Sequence, residues 1–115
     1  MLNSAILMGR FVADPELKKT QNDVSYTKFT LAVDRDFCKK DDEKKTDFID
    51  FVAWRSTAEF VCKYFKKSSL AVIKGSVQVR NYTDTKGNKR KVFEIKADEV
   101  YFAGSKINGK GEKQT

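Results

Sequence analysis

The stretch Asp47-Phe48-Ile49-Asp50-Phe51-Val52-Ala53-Trp54-Arg55 reads as a β-strand, and the rest of the chain is organised around it. Successive side chains of a strand point to opposite faces. Ile49, Phe51 and Ala53 therefore share one face, uniformly apolar and suited to a core. Phe48, Asp50, Val52 and Trp54 share the other. A dry core would not place Asp50 between two large rings, and a purely solvated face would not carry Phe48 and Trp54. Aromatic rings on a half-wet sheet are what a platform for unstacked bases requires.

The charge agrees with that reading. The chain has 115 residues, with 23 Lys+Arg against 16 Asp+Glu and a formal net charge of +7. This length supports one domain with one core, and the basic balance points to a polyanionic partner. Absence of histidine excludes imidazole acid–base chemistry, Ser-His-Asp triads and most zinc sites. Cys38 and Cys62 are too far apart for a CxxC motif and too few for a disulfide framework. Cys62 reads as a small core residue on a helix and Cys38 as a free thiol at a strand end, both suited to a reducing cytosol. The start, Met1 to Arg10, shows no secretory leader, and nothing approaches a membrane-spanning length. Asp14, Glu16 and the Asp41-Asp42-Glu43 run lack a defined ligand spacing, so no metal site is expected.

Working outward, Ile6 to Val12 reads as a buried strand, with Gly9 as a bulge or close-packing site. Asp14-Pro15-Glu16 stops it, and Thr20 to Asp23 is a turn. Val24 to Val33 is a second strand with Thr27, Phe29, Leu31 and Val33 on one face. Lys39 to Lys45 is a solvated charged loop, and the aromatic strand comes third. A helix follows, with Ser56 as N-cap and Glu59 completing a capping box. Val61, Tyr64 and Phe65 are spaced to cover one face, and Lys63, Lys66 and Lys67 crowd the C-terminal end. Leu70 to Tyr82 is a long strand bent at Gly75. Asp84-Thr85-Lys86-Gly87-Asn88 is a hairpin turn, and Lys91 to Phe102 returns. Gln78, Arg80 and Tyr82 share one face of the outgoing strand, Val77 and Val79 the other. Lys86, Lys89, Arg90 and Lys91 form a basic tip. From Gly104 the composition is that of a disordered basic stub, so residues 1–103 form the domain and 104–115 the stub. An all-β chain with five strands and one helix between strands 3 and 4 has the element order of the OB-fold, a five-stranded Greek-key barrel.

The chain resembles the bacterial and phage single-stranded DNA-binding proteins. The resemblance runs from Met1 to about Phe102. It is carried by Met1-Leu2-Asn3, Leu7-Met8-Gly9-Arg10, Asp14-Pro15-Glu16-Leu17, Phe29-Thr30-Leu31-Ala32-Val33, Asp47-Phe48, Val52-Ala53-Trp54, Phe65-Lys66-Lys67, Arg80-Asn81-Tyr82 and Asp84-Thr85-Lys86-Gly87, in that order and spacing. It implies base stacking on Phe37, Phe48, Trp54 and Tyr82, although for Phe37 packing is nearly as good a reading. It implies phosphate contacts from Arg10, Lys18, Arg35, Arg55, Lys66, Lys67 and Arg80. It also implies a homotetramer joined through the first strand, at Leu2, Asn3, Ile6 and Met8. Four departures stand out: Ser68 where glycine is common, Asn22-Asp23 where Asn-Gly is frequent, Asp50 on the binding face, and no acidic C-terminal tip. Docking of replication and repair proteins through such a tip is not expected.

The expected function is sequence-independent binding and protection of single-stranded DNA in replication, recombination or repair. No catalysis and no cofactor are implied. The expected location is cytoplasmic, at the bacterial nucleoid or in the host cytoplasm of a phage. Two alternatives are an RNA-binding OB module, for which the Lys-Gly-Phe-Gly-Phe type of string is missing, and a primosome-type interaction subunit. An enzyme is the weakest reading.

Overall fold

The computed structural model describes residues 1–36 and 45–103. Its elements are β1 (Ala5–Phe11), β2 (Lys18–Lys19), β3 (Ser25–Asp34), β4 (Thr46–Trp54), α1 (Arg55–Tyr64), β5 (Leu70–Thr83) and β6 (Lys89–Phe102). The sheet order is β1-β5-β6-β4-β3-β2, and β1 also pairs with β3, which closes the ring. The barrel is therefore an OB-fold of five strands with α1 between β4 and β5. The two-residue β2 is appended to β3 through Lys18↔Tyr26 and Lys19↔Ser25; it was not anticipated.

Closure relies on β1 serving two partners. Ala5 to Arg10 pair with β5, while Arg10 and Phe11 pair with Ala32 and Leu31 of β3. The strand must bend sharply between the two, and Gly9 sits at that bend. A Cβ there would lie 2.6 Å from the Ala32 carbonyl oxygen, so the close approach requires glycine. On the opposite wall, β4 and β6 run parallel through Phe51↔Ile95 and Val52↔Lys96. The ladder between β5 and β6 slips at Lys74/Gly75, and a side chain at Gly75 would collide with the Lys96 carbonyl. The bend expected at Gly75 is thus a bulge, which re-aims the strand.

The core follows the alternation. Thr27, Phe29 and Leu31 of β3 and Phe51 and Ala53 of β4 are buried, together with Phe11, Ala71, Ile73, Ile95 and Ala97. Ala58 and Val61 of α1 and Phe65 just after it cap one end of the barrel. Five phenylalanines stack face to face through this core in the order Phe51, Phe29, Phe11, Phe65, Phe102, with centroid spacings of 5.3, 4.9, 5.2 and 4.5 Å. Offset stacking at these distances is favourable for aromatic quadrupoles.

The helix departs from expectation at both ends. Its N-cap is Trp54, with no side-chain capping bond, so Ser56 and Glu59 lie inside the helix and form no capping box. The chain leaves β4 through Arg55 in the left-handed region, φ 54°. That turn enters the helix before Ser56 can act as a cap. Tyr64 is exposed rather than packed on the core face, and Cys62 is half-buried as a free thiol. Only Lys63 of the three expected lysines lies in the last helical turn; Lys66 and Lys67 belong to the turn that follows. In that turn the Ser69 N–H donates to the Lys66 carbonyl at 2.9 Å, and Ser68 takes φ 76°. Asp23, φ 65°, is likewise left-handed in the Thr20–Val24 turn. Ser68 and the Asn22-Asp23 pair stand where glycine would be the easier residue, which agrees with their reading as departures.

Candidate nucleic-acid interface

The outer face of β3 and β4 carries the rings. Phe48 is 68% exposed and Trp54 37% exposed, although β4 is flanked by strands on both sides. Trp54 stands directly opposite Tyr26 across the ladder, with ring centroids 5.4 Å apart and tilted by 33°. Asp50 stands opposite Thr30, whose hydroxyl donates to its carboxylate at 2.8 Å. Asp50 is exposed, so this is a local surface bond and not part of a buried network. Val52 shares the face but is only 3% exposed. Its cross-strand neighbours are Lys28 and Lys96, long stems that cover an apolar side chain while their heads stay wet.

Beyond Gly75 the β5–β6 hairpin leaves the barrel as an arm. From Val77 to Thr83 every residue is exposed. Tyr82 lies near its end, 45% exposed, with the Arg80 guanidinium 5.9 Å from its ring centroid. Arg80 Nε is also 3.7 Å from a Glu94 carboxylate oxygen. The Arg80 side of the arm and the outer face of the sheet line one groove, formed by Lys28, Thr30, Asp50, Arg80, Val92 and Glu94. An adjoining hollow is lined by Trp54, Arg55, Gln78 and Lys96. The barrel face and the arm thus form one continuous surface. The other side of the arm is exposed too: Val77, Val79 and Phe93 form an apolar stripe, with Val79 opposite Phe93.

The arm's tip is tied by Asp84. Its carboxylate accepts from the Lys86 and Asn88 N–H groups at 3.0 and 2.9 Å and from Arg90 Nε at 3.0 Å. The Asn88 backbone bond, then Arg90, holds the Asp84 carboxyl below its ordinary pKa. Of the basic tip residues, Arg90 is engaged in this way.

The expected phosphate-binding cations differ in their surroundings. Arg35 forms a bidentate pair with Asp47, at 3.0 and 3.1 Å. That hydrogen bond raises the Arg35 pKa and lowers that of Asp47. Arg10 donates to the Ser68 carbonyl at 3.0 Å. Lys66 and Lys67 flank the post-helical turn, where the Lys67 N–H donates to Asp14 at 2.7 Å. Lys18 lies on β2 opposite Tyr26, and Arg55 lines the hollow beside Trp54. Arg80 is in the groove. Phe37 and Cys38 fall outside the described residues. Tyr26 and Phe93 were missed; the alternation that buries Thr27 and Phe29 puts Tyr26 on the outer face.

At the other edge, Leu2, Ile6 and Met8 are exposed, at 94%, 66% and 55%. Ala5 to Gly9 pair on one side only, with β5. Asn3 is engaged within the chain: its amide donates to the Val77 carbonyl and accepts from the Val77 N–H, both at 2.8 Å.

A closed OB barrel with exposed rings on its outer face, beside a groove holding Lys28 and Arg80, defines a polyanion-binding module of the oligonucleotide type. Residues 2–103 match the single-strand binding protein family, and the chain belongs to that family. It is 46% identical over 111 residues to single-stranded DNA-binding protein 3 of Listeria innocua, covering 96% of this chain and 69% of that protein. It is 45% identical over 102 residues to the single-stranded DNA-binding protein of Halalkalibacterium halodurans, covering 89% and 61%. Against single-stranded DNA-binding protein A of Bacillus subtilis the identity is 44% over 109 residues, covering 95% and 63%. The chain spans about two thirds of the length of these relatives.

Proposed function

We propose that this chain binds single-stranded DNA without sequence preference and shields it during replication, recombination or repair. The observation that carries the reading is the exposure of Phe48 and Trp54 on a flanked strand, on either side of Asp50, which lines the groove that also holds Arg80. Bases stack on Phe48, Trp54 and Tyr82, and on Phe37. Stacking tolerates any base because each has a π-face. Lys18, Arg55, Lys66, Lys67 and Arg80 follow the phosphates and displace condensed counterions. Arg10 and Arg35 join them by exchanging their present partners for phosphate. The chain is a binding protein and not an enzyme.

Self-association accompanies this reading. The half-paired β1 with Leu2, Ile6 and Met8 exposed is an edge that a second copy covers by continuing the sheet. The proposed assembly is a homotetramer, checked by light scattering at micromolar concentration; a monomer would refute it. No described helix is long and apolar enough to cross a membrane, and the proposed location is the cytoplasm.

The test uses the chain's single tryptophan. Titration with oligo(dT) quenches Trp54 emission, while duplex of equal length leaves it nearly unchanged. Trp54→Ala weakens binding by about 1–3 kcal/mol with the fold intact by circular dichroism. Unchanged affinity in that variant would rule out stacking at Trp54. Equal or tighter binding of oligo(U) would favour an RNA-binding module instead.

A further inference from the structure

The Tyr26–Trp54 pair is not accounted for by stacking and phosphate contacts as described so far. Opposed residues of an antiparallel ladder project to the same face and touch if large. The register sets Lys18, Tyr26 and Trp54 in one row across β2, β3 and β4. Tyr26 is half-buried and Trp54 more exposed, so the tyrosine is the better anchored of the two rings. An indole on an open sheet face would otherwise sample several rotamers, and a base stacking on it would have to freeze them.

We propose that Tyr26 is a positioning residue for Trp54: its ring braces the indole in one orientation, so that the stacking surface exists before DNA arrives. The assignment rests on the single-strand reading above. The work is done by the ring and not by the phenol, because the contact is between the two rings, their centroids 5.4 Å apart. Tyr26 therefore acts on affinity through the order of its neighbour.

The experiment compares Tyr26→Ala, Tyr26→Leu and Tyr26→Phe with the unaltered chain and with Trp54→Ala. Tyr26→Leu keeps a large apolar side chain on β3 should the alanine variant fail to fold. Two quantities are read: time-resolved anisotropy of Trp54 in the free protein, and affinity for oligo(dT). Tyr26→Ala or Tyr26→Leu increases the fast depolarisation of Trp54 and weakens binding roughly two- to tenfold, the cost of ordering one side chain. Tyr26→Phe restores both. In the Trp54→Ala background, loss of the Tyr26 ring has little further effect, because the two act as a unit. Unchanged anisotropy and affinity in the ring-deleted variants would overturn the proposal. Weakened binding with unchanged anisotropy would also overturn it, since Tyr26 would then touch DNA itself. If Trp54→Ala alone leaves affinity intact, the stacking reading fails, which is distinct from failure of the brace.

Discussion

The side-chain amide of Asn3 binds the backbone of Val77 as a second peptide group would, donating to its carbonyl and accepting from its N–H at 2.8 Å each. Val77 lies two residues past Gly75, where the ladder slips, at the root of the arm. Asn3 thus continues the β1–β5 pairing by side chain after the backbone has turned away. Asn3→Ala removes both bonds. Exposed bonds of this kind contribute about 0.5–1.5 kcal/mol each, so the melting temperature falls by several degrees. Hydrogen exchange at the Val77 amide accelerates. Asn3→Asp loses the donor and sets a charge against the carbonyl, so it does not rescue. Unchanged exchange at Val77 would show that the arm is held elsewhere.

Salt dependence separates the cations by role. Arg80 has both a ring and a carboxylate beside it. Arg80→Ala flattens the log–log slope of affinity against salt by about 0.7, one phosphate's worth for a single strand. Glu94→Gln removes the intramolecular competitor and tightens binding at low salt. Identical slopes in the Arg80 variant and the unaltered chain would place the phosphates elsewhere.

Acid loosens the tip of the arm. The Asp84 carboxyl is held below its ordinary pKa by hydrogen bonds present only in the folded turn. The native state therefore binds fewer protons than the unfolded one across that interval, and stability rises with pH there. The contribution is fully present above the ordinary carboxylate pKa and is lost as pH falls through the folded value. The protection of the Lys86 and Asn88 amides, taken relative to the intrinsic exchange rate at each pH, falls on going from about pH 5 to about pH 3. Asp84→Asn shows faster exchange already at neutral pH and a weaker pH dependence.

Ser68 is strained by its backbone. At φ 76° a serine takes a conformation that glycine adopts freely. Ser68→Gly relieves a cost of up to about 1 kcal/mol and raises the melting temperature by a few degrees. Ser68→Val lowers it. Affinity for single strands is unchanged in both, which thermal melts and a titration check together.

The outer face of β4 was legible because Asp50 between two rings contradicts a dry core. The core face of β3 was legible by the same alternation. Val52 was not: it is buried between its cross-strand neighbours Lys28 and Lys96, which only the register brings alongside. Tyr26 was not singled out: alternation alone puts it opposite to Thr27 and Phe29, but its contact with Trp54 is a matter of register. The start of the helix misled because Ser56 and Glu59 have capping-box spacing. Trp54 stays in β4 opposite Tyr26, and the chain must turn at Arg55 at once. β2 left no trace, since two lysines carry no periodic signal and pair only because the Thr20–Val24 turn returns them to β3. The arm also hid its second apolar side. Val77 and Val79 read as the face opposite Arg80 and Tyr82, and that face is exposed because β5 has already left the barrel there.

The stacked column of phenylalanines has a consequence for how the chain is made. Neighbours in the column are far apart in sequence: residue 51 meets 29, 29 meets 11, 11 meets 65, and 65 meets 102. A chain emerging from the ribosome can assemble the first three rings once β4 is out. The fourth waits for the helix and the last for the far end of β6. Until then Phe65 has a bare face, and β5 lacks the partner strand β6 along its other edge. Contacts of such long separation are entropically slow to form and leave unfinished intermediates sticky. Any nascent form that stops short of Phe102 therefore leaves apolar ring surface open, and the barrel completes itself only after synthesis has passed its last strand.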